Sequence, residues 1–128
     1  MDAKITGQAH RLRIYVGESD RYHHHALYHA IVIEARKRGL AGATVVRAIE
    51  GFGPSKRLHT ANMLDLSADL PIVIEIIDSE EYLKPFIAIL DEMMTSGLVT
   101  MDPVNIIHYG PAARNMTEDP SSPSRDQN

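Results

Sequence analysis

Gly51, Phe52 and Gly53 stand just before Lys56, Arg57 and His59. Glycines let backbone N–H groups approach an anion, and nearby cations complete its neutralisation. A phenyl ring between two glycines can pack on a flat base. The pattern suits a ligand that carries both phosphate and a planar ring. It also describes an ordinary turn followed by a solvated basic patch, because one Gly-x-Gly in a loop is a weak motif. Arg47, four residues upstream, is a further cation near this cradle, with Glu75 as its alternative partner. Glu18 and Ser19 form a second candidate pair. A carboxylate can accept from a ribose hydroxyl, as acidic residues do in dinucleotide folds. The competing role is local: Ser19 or Asp20 would begin the turn into a helix as a cap.

Four histidines, His23, His24, His25 and His29, crowd the next segment. If a helix has begun by His25, then His25 and His29 are one turn apart and could share a metal. No cysteine exists, and no carboxylate motif completes the set. The cluster is read as exposed side chains at a helix start, and no metal ligand is assigned. Catalytic constellations are equally thin. There is no Cys nucleophile and no placeable Ser-His-Asp arrangement. The enzymatic alternative is hydrolysis of a phosphate ester or acyl phosphate, with Arg47 or Arg57 holding phosphate and Asn62 orienting water. Only the presence of those residues supports it, so no catalytic residue is assigned.

The elements that must position these groups follow from periodicity. Leu12, Ile14 and Val16 alternate with Arg13 and Tyr15, which predicts a strand over Arg11–Val16. Leu27, Ile31 and Ala35 recur every four residues and predict a helix over Ala26–Leu40. Arg36, Lys37 and Arg38 suit the negative end of its dipole, and Gly39 supplies a left-handed stop. Ala43–Glu50 reads as a second strand, Pro71–Asp78 as a third, and Leu98–His108 as a fourth with a bend at Asp102-Pro103. Between the second and third strands lies a long polar excursion, with residues 54–68 expected to be mobile and Asn62–Leu66 as a short turn or strand. Loops this long in compact domains are usually functional. A second helix runs from Ser79, its expected cap, toward Ser96-Gly97. Pro85 predicts either a start near Lys84 or a kink.

The order β-α-β-β-α-β is the split pattern of ferredoxin-like α+β folds, with an antiparallel four-stranded sheet. The first and third strands are then central. Leu12, Ile14, Val16, Ile72, Ile74 and Ile76 would face the helices. Tyr15, Val73 and Ile77, beside Arg13 and Glu75, would face away. A half-apolar second face without helices predicts association between copies. The domain is placed at residues 11–109, between a flexible stretch at 1–10 and a disordered tail at 110–128 rich in Pro, Ser and charge.

Composition narrows the classes. The 128 residues fit one domain. A net charge of -4 and a pI near 5.9 disfavour nucleic-acid binding, which needs a basic face. Five Tyr, two Phe and no Trp leave little for base-stacking platforms. The absence of cysteine suits a reducing compartment. Residues 1–8 lack the apolar core of a signal peptide, and the Leu70–Ile77 run is far short of the ~20 residues that span a bilayer. A cytoplasmic protein is expected.

Several segments are familiar together. Gly42–Gly53, reading GATVVRAIEGFG, Gly17-Glu18-Ser19, Leu70–Asp78 and Gly97-Leu98-Val99-Thr100 resemble, in order, the PII-like family catalogued as domain of unknown function 190. The resemblance spans about residues 11–109. It implies a homotrimeric signalling protein with small-ligand sites in clefts between subunits, adenine nucleotides being the best-known ligands. It also implies a loop after the second strand that changes shape with ligand and touches a partner, either a membrane transporter or an enzyme. The ligand-site residues it implies are Glu18, Ser19, Arg47, Gly51, Phe52, Gly53, Lys56, Arg57, His59 and Gly97. Two departures matter. Ala48 stands where a glycine-like residue is expected. The phosphate loop of PII proteins is rich in Gly and Lys, but here the place reads Met94-Thr95-Ser96-Gly97-Leu98, without Lys. AMP or ADP is therefore expected over the triphosphate.

Overall fold

The computed structural model describes residues 7–61 and 69–110. Four strands, β1 (Gly7–Gly17), β2 (Thr44–Arg47), β3 (Pro71–Asp78) and β4 (Leu98–Ile106), form one antiparallel sheet in the order β2-β3-β1-β4. Two helices, α1 (Leu27–Lys37) and α2 (Glu80–Met93), complete the expected βαββαβ arrangement. Two-residue ribbons pair Arg21–Tyr22 with His25–Ala26, and Glu50–Gly51 with His59–Thr60.

The core lies between the helices and one sheet face. Leu12, Ile14 and Val16 of β1 and Ile72, Ile74 and Ile76 of β3 meet Leu27, Ile31 and Ala35 of α1 and Leu83, Phe86, Leu90 and Met93 of α2. Each fully buried large aliphatic side chain contributes about 1.5–3 kcal/mol, so this cluster dominates the stability of the fold. Along β3 burial alternates residue by residue, the mark of a strand covered on one face. On the other face Arg13 lies opposite Glu75 and Arg11 opposite Asp102. Both pairs close, with Arg13 Nε 3.1 Å from Glu75 and Arg11 Nη2 2.8 Å from Asp102. The Arg11 hydrogen bond holds the Asp102 carboxyl below its ordinary range.

Several boundaries differ from the sequence expectation. β1 begins at Gly7 rather than Arg11, because Gln8, Ala9 and His10 pair with Asn105, Val104 and Pro103, and Ala9 is buried. Residues 7–10 therefore belong to the sheet. β2 ends at Arg47 rather than Glu50. Its partner β3 begins at Pro71, which has no N–H to extend the ladder, and the Ala48 N–H closes it on the Pro71 carbonyl at 2.8 Å. β4 runs through Pro103, as an edge strand can. α1 stops before Gly39, whose φ is +76°. It starts only at Leu27, so His25 sits in a ribbon and is not one helical turn from His29. Neither Ser19 nor Asp20 caps it; Ala26 holds the cap position. α2 passes through Pro85, which is exposed, and Ser79 gives no side-chain cap. The Ser79 N–H donates instead to Asp78 Oδ1 at 2.7 Å. Asn62 and the Asn62–Leu66 turn lie outside the described residues, as do 1–6, most of the excursion's return and the tail from 111.

Candidate functional site

The antiparallel register brings four chain breaks to one end of the sheet. Gly17 lies opposite Pro71, Tyr15 opposite Leu98, and Arg47 opposite Ile72. The end of β1, the end of β2 and the starts of β3 and β4 are therefore neighbours. The Glu50–Thr60 hairpin rises from this end. Between it and the strand ends lies a cleft of about 560 Å³. The hairpin contributes Phe52, Gly53, Pro54, Ser55 and His59; the strand ends contribute Tyr15–Gly17, Asp20, Asp69, Pro71 and Ser96–Leu98.

Local sequence explains the shape. Pro54 and Ser55 occupy the centre of a turn whose Lys56 N–H donates to the Gly53 carbonyl at 2.8 Å. Ser55 Oγ accepts from the Arg57 N–H at 3.3 Å, and Thr60 donates to Glu50 at 3.1 Å. Lys56 Nζ lies 5.7 Å from the Phe52 ring centre, on one face of a largely exposed ring. Gly51 is needed for close approach: a Cβ there would lie 2.9 Å from Pro71 Cγ. Gly97 is needed more strictly. Its φ is +112°, and a Cβ would lie 2.6 Å from the Tyr15 carbonyl oxygen.

Of the residues expected at a ligand site, Phe52, Gly53, His59 and Gly97 line the cleft. Gly51 supports it from the hairpin root. Lys56 and Arg57 sit on the hairpin but are not among the lining residues. Glu18, Ser19 and Arg47 hold the frame. Arg47 Nε is 3.0 Å from Glu18 Oε2, and the Ser19 N–H donates to Asp69 Oδ1 at 2.8 Å. The expected alternative pairing of Arg47 with Glu75 does not form. Arg47 is opposite Ile72 and shares its sheet face, whereas Glu75 points to the other face and is taken by Arg13.

Asp20 and Asp69 also line the cleft and were not expected there. Asp20 Oδ2 accepts from the Gly17 N–H at 2.9 Å, three residues back across the turn after β1. The partner of Asp69 is fifty positions away, and no spacing rule connects the two. The cleft thus offers aromatic and aliphatic walls, two carboxylates, one imidazole and an open backbone at Gly53. That set can accept from hydroxyl or amino groups on one side and donate to an anion on the other. Among the described residues there is no group of three His, Cys, Asp or Glu that could hold a metal ion.

The family model of domain of unknown function 190, described as an uncharacterized ACR, matches residues 9–106. The chain belongs to the DUF190 family. An Aquifex aeolicus UPF0166 protein is 38% identical over 99 residues, covering 76% of this chain and 91% of the relative. A Methanocaldococcus jannaschii UPF0166 protein is 32% identical over 89 residues, covering 69% and 82%. Among solved structures, this DUF190 chain resembles CPII from Thiomonas intermedia K12 bound to ADP and bicarbonate, with TM-score 0.56 and 20% identity over 77% of this chain and 88% of that one. It also resembles a PII-like signalling protein of Thermus thermophilus, with TM-score 0.58 and 18% identity over 78% and 90%. These likenesses place the DUF190 fold among PII-like folds. No helix among the described residues is long and apolar enough to cross a membrane.

Proposed function

We propose that this DUF190 protein is a PII-like regulator that senses an adenine nucleotide, AMP or ADP, in the cleft at the end of the sheet. The observation that carries the reading is the cleft itself: a hairpin bearing Phe52, Gly53 and His59 faces the Gly97 turn across about 560 Å³, a volume within the usual range for small-ligand sites. The fold supports it, since CPII, which shares that fold, is known bound to ADP, AMP and bicarbonate. Phe52 would pack on the base, Gly53 and His59 would meet the phosphate, and Asp20 or Asp69 would accept from ribose hydroxyls. Lys56 and Arg57 would reach the phosphate only if the hairpin moves. In a homotrimer a neighbouring subunit would close the open side of the cleft, and the hairpin would report occupancy to a partner such as a transporter or an enzyme.

Isothermal calorimetry with AMP, ADP and ATP, each with and without bicarbonate, tests this. ADP or AMP should bind saturably, and ATP more weakly, because the Met94–Leu98 turn carries no lysine. No binding of any of the three would overturn the nucleotide reading. Clearly tighter ATP binding would overturn the argument from the missing lysine. Release of phosphate during the titration would favour the hydrolase alternative.

A further inference from the structure

The excursion between β2 and β3 leaves the sheet after Arg47 and returns at Leu70, and one side chain touches both roots. Glu18 Oε2 is 3.0 Å from Arg47 Nε, while Glu18 Oε1 accepts from the Leu70 N–H at 3.4 Å. The Glu18 N–H donates in turn to the Leu70 carbonyl at 2.9 Å. Both carboxylate oxygens are therefore engaged within the protein. A carboxylate so used is poorly placed to receive a ligand hydroxyl and well placed to set the geometry of the turn after β1.

Among the described residues, the hairpin held by these roots has few other attachments. Its base closes through the Glu50–Gly51 and His59–Thr60 pairing, the Ala48 N–H to the Pro71 carbonyl, and the Ala61 N–H to the Ile49 carbonyl at 2.7 Å. Ile49, Phe52 and Leu58 are largely exposed and add little burial to hold it down. Yet this hairpin supplies one wall of the cleft.

We propose that Glu18 is a positioning residue, a clasp across both roots of the excursion that holds the hairpin over the cleft. The proposal rests on the cleft being the ligand site and adds the device that sets its shape. Magnitude explains why the device acts locally. The Glu18 and Arg47 side chains are 29% and 55% exposed, and such a pair counts for little against the stability of a whole domain. Local opening of a thinly attached hairpin starts from a far smaller free energy. There the same increment changes the time spent open several-fold. By linkage, a ligand that needs the hairpin in place must also tighten it.

The test is amide hydrogen exchange on the full chain in the wild type, Glu18→Gln, Glu18→Ala, Arg47→Gln and the Glu18→Gln/Arg47→Gln double variant. Glu18→Gln and Arg47→Gln should each speed exchange at Ala48 and Ala61 by about two- to fivefold. Ile14 and Ile74 in the core should exchange as in the wild type. The double variant should be no faster than either single one, because all three lack the same pair. Glu18→Ala should add faster exchange at Leu70. ADP affinity should fall only as far as the closed fraction of the hairpin falls, and saturating ADP should slow exchange at Ala48 and Ala61 in the wild type. Unchanged exchange at Ala48 and Ala61 in every variant would overturn the clasp, as would acceleration shared equally by Ile14 and Ile74. Exchange at Ala48 and Ala61 that saturating ADP leaves unslowed in the wild type would overturn its role in shaping the cleft. If the wild type binds neither ADP nor AMP, the nucleotide reading fails, while the exchange data still decide the clasp.

Discussion

Gly97 and Gly53 face the same cleft but should tolerate a methyl group very differently. At Gly97 the backbone is in a region that side chains rarely adopt, and the new Cβ would meet the Tyr15 carbonyl. Gly97→Ala should cost about 2–4 kcal/mol, combining backbone strain with overlap against a central strand. At Gly53 nothing lies within 4 Å of the added Cβ. Gly53→Ala should stay within about 0.5 kcal/mol of the wild type. Urea denaturation of both variants checks the contrast; equal losses would mean that the turn before β4 can relax. At this scale the sequence was partly legible. Phe52, Gly53 and His59 announce a cradle because glycines and cations cluster within nine residues. Asp69 announces nothing, since its partner Ser19 comes from another strand end. Glu18 was legible as a candidate site residue, but its contacts were not, because they depend on Arg47 and Leu70 arriving beside it.

Elements were legible where one periodicity held without interruption. Pro71–Asp78 is the strand that its nearly continuous run of Ile and Val predicts, and Gly39 ends α1 as its position suggests. Illegible features arose where a neighbour decided the outcome. β1 extends back to Gly7 because β4 is there to pair with it, and β2 stops at Arg47 because Pro71 ends the ladder. The helix-free sheet face carries a prediction of its own. Asp102 titrates below the ordinary value of 3.8 because Arg11 bonds its charged form. A carboxylate with a depressed folded pKa adds stability above its unfolded pKa and loses it as pH falls through the folded one. The stability gap between the wild type and Asp102→Asn should therefore be present at pH 7 and close as the pH falls through the depressed folded-state value, below the ordinary 3.8. Chemical denaturation at several pH values measures it. A gap that persists unchanged at pH 2 would mean that the Arg11 pair is not its source.

Across the whole molecule, the two helices leave one sheet face to Arg11, Arg13, Tyr15, Val73, Glu75 and Ile77, all half-buried. The trimer that the proposed function requires would use this face. Light scattering should then give about 43 kDa, three copies of 14.2 kDa; a 14.2 kDa species at micromolar concentration would sink both the trimer and a cleft shared between subunits. The same sheet also sets a timetable. β1 precedes the other three strands of this sheet and occupies a central place in it, but its partners come much later: Arg13 waits 62 residues for Glu75, and Arg11 waits 91 for Asp102. On a ribosome the chain must therefore present an apolar strand with both edges open until β3 has emerged, and with one edge still open until β4 follows. Contacts of such sequence separation make folding slow and leave unpaired edges exposed to other nascent chains. Arg11 and Arg13, which end in ion pairs, can meanwhile serve as charged gatekeepers, keeping that early strand from finding the wrong partner.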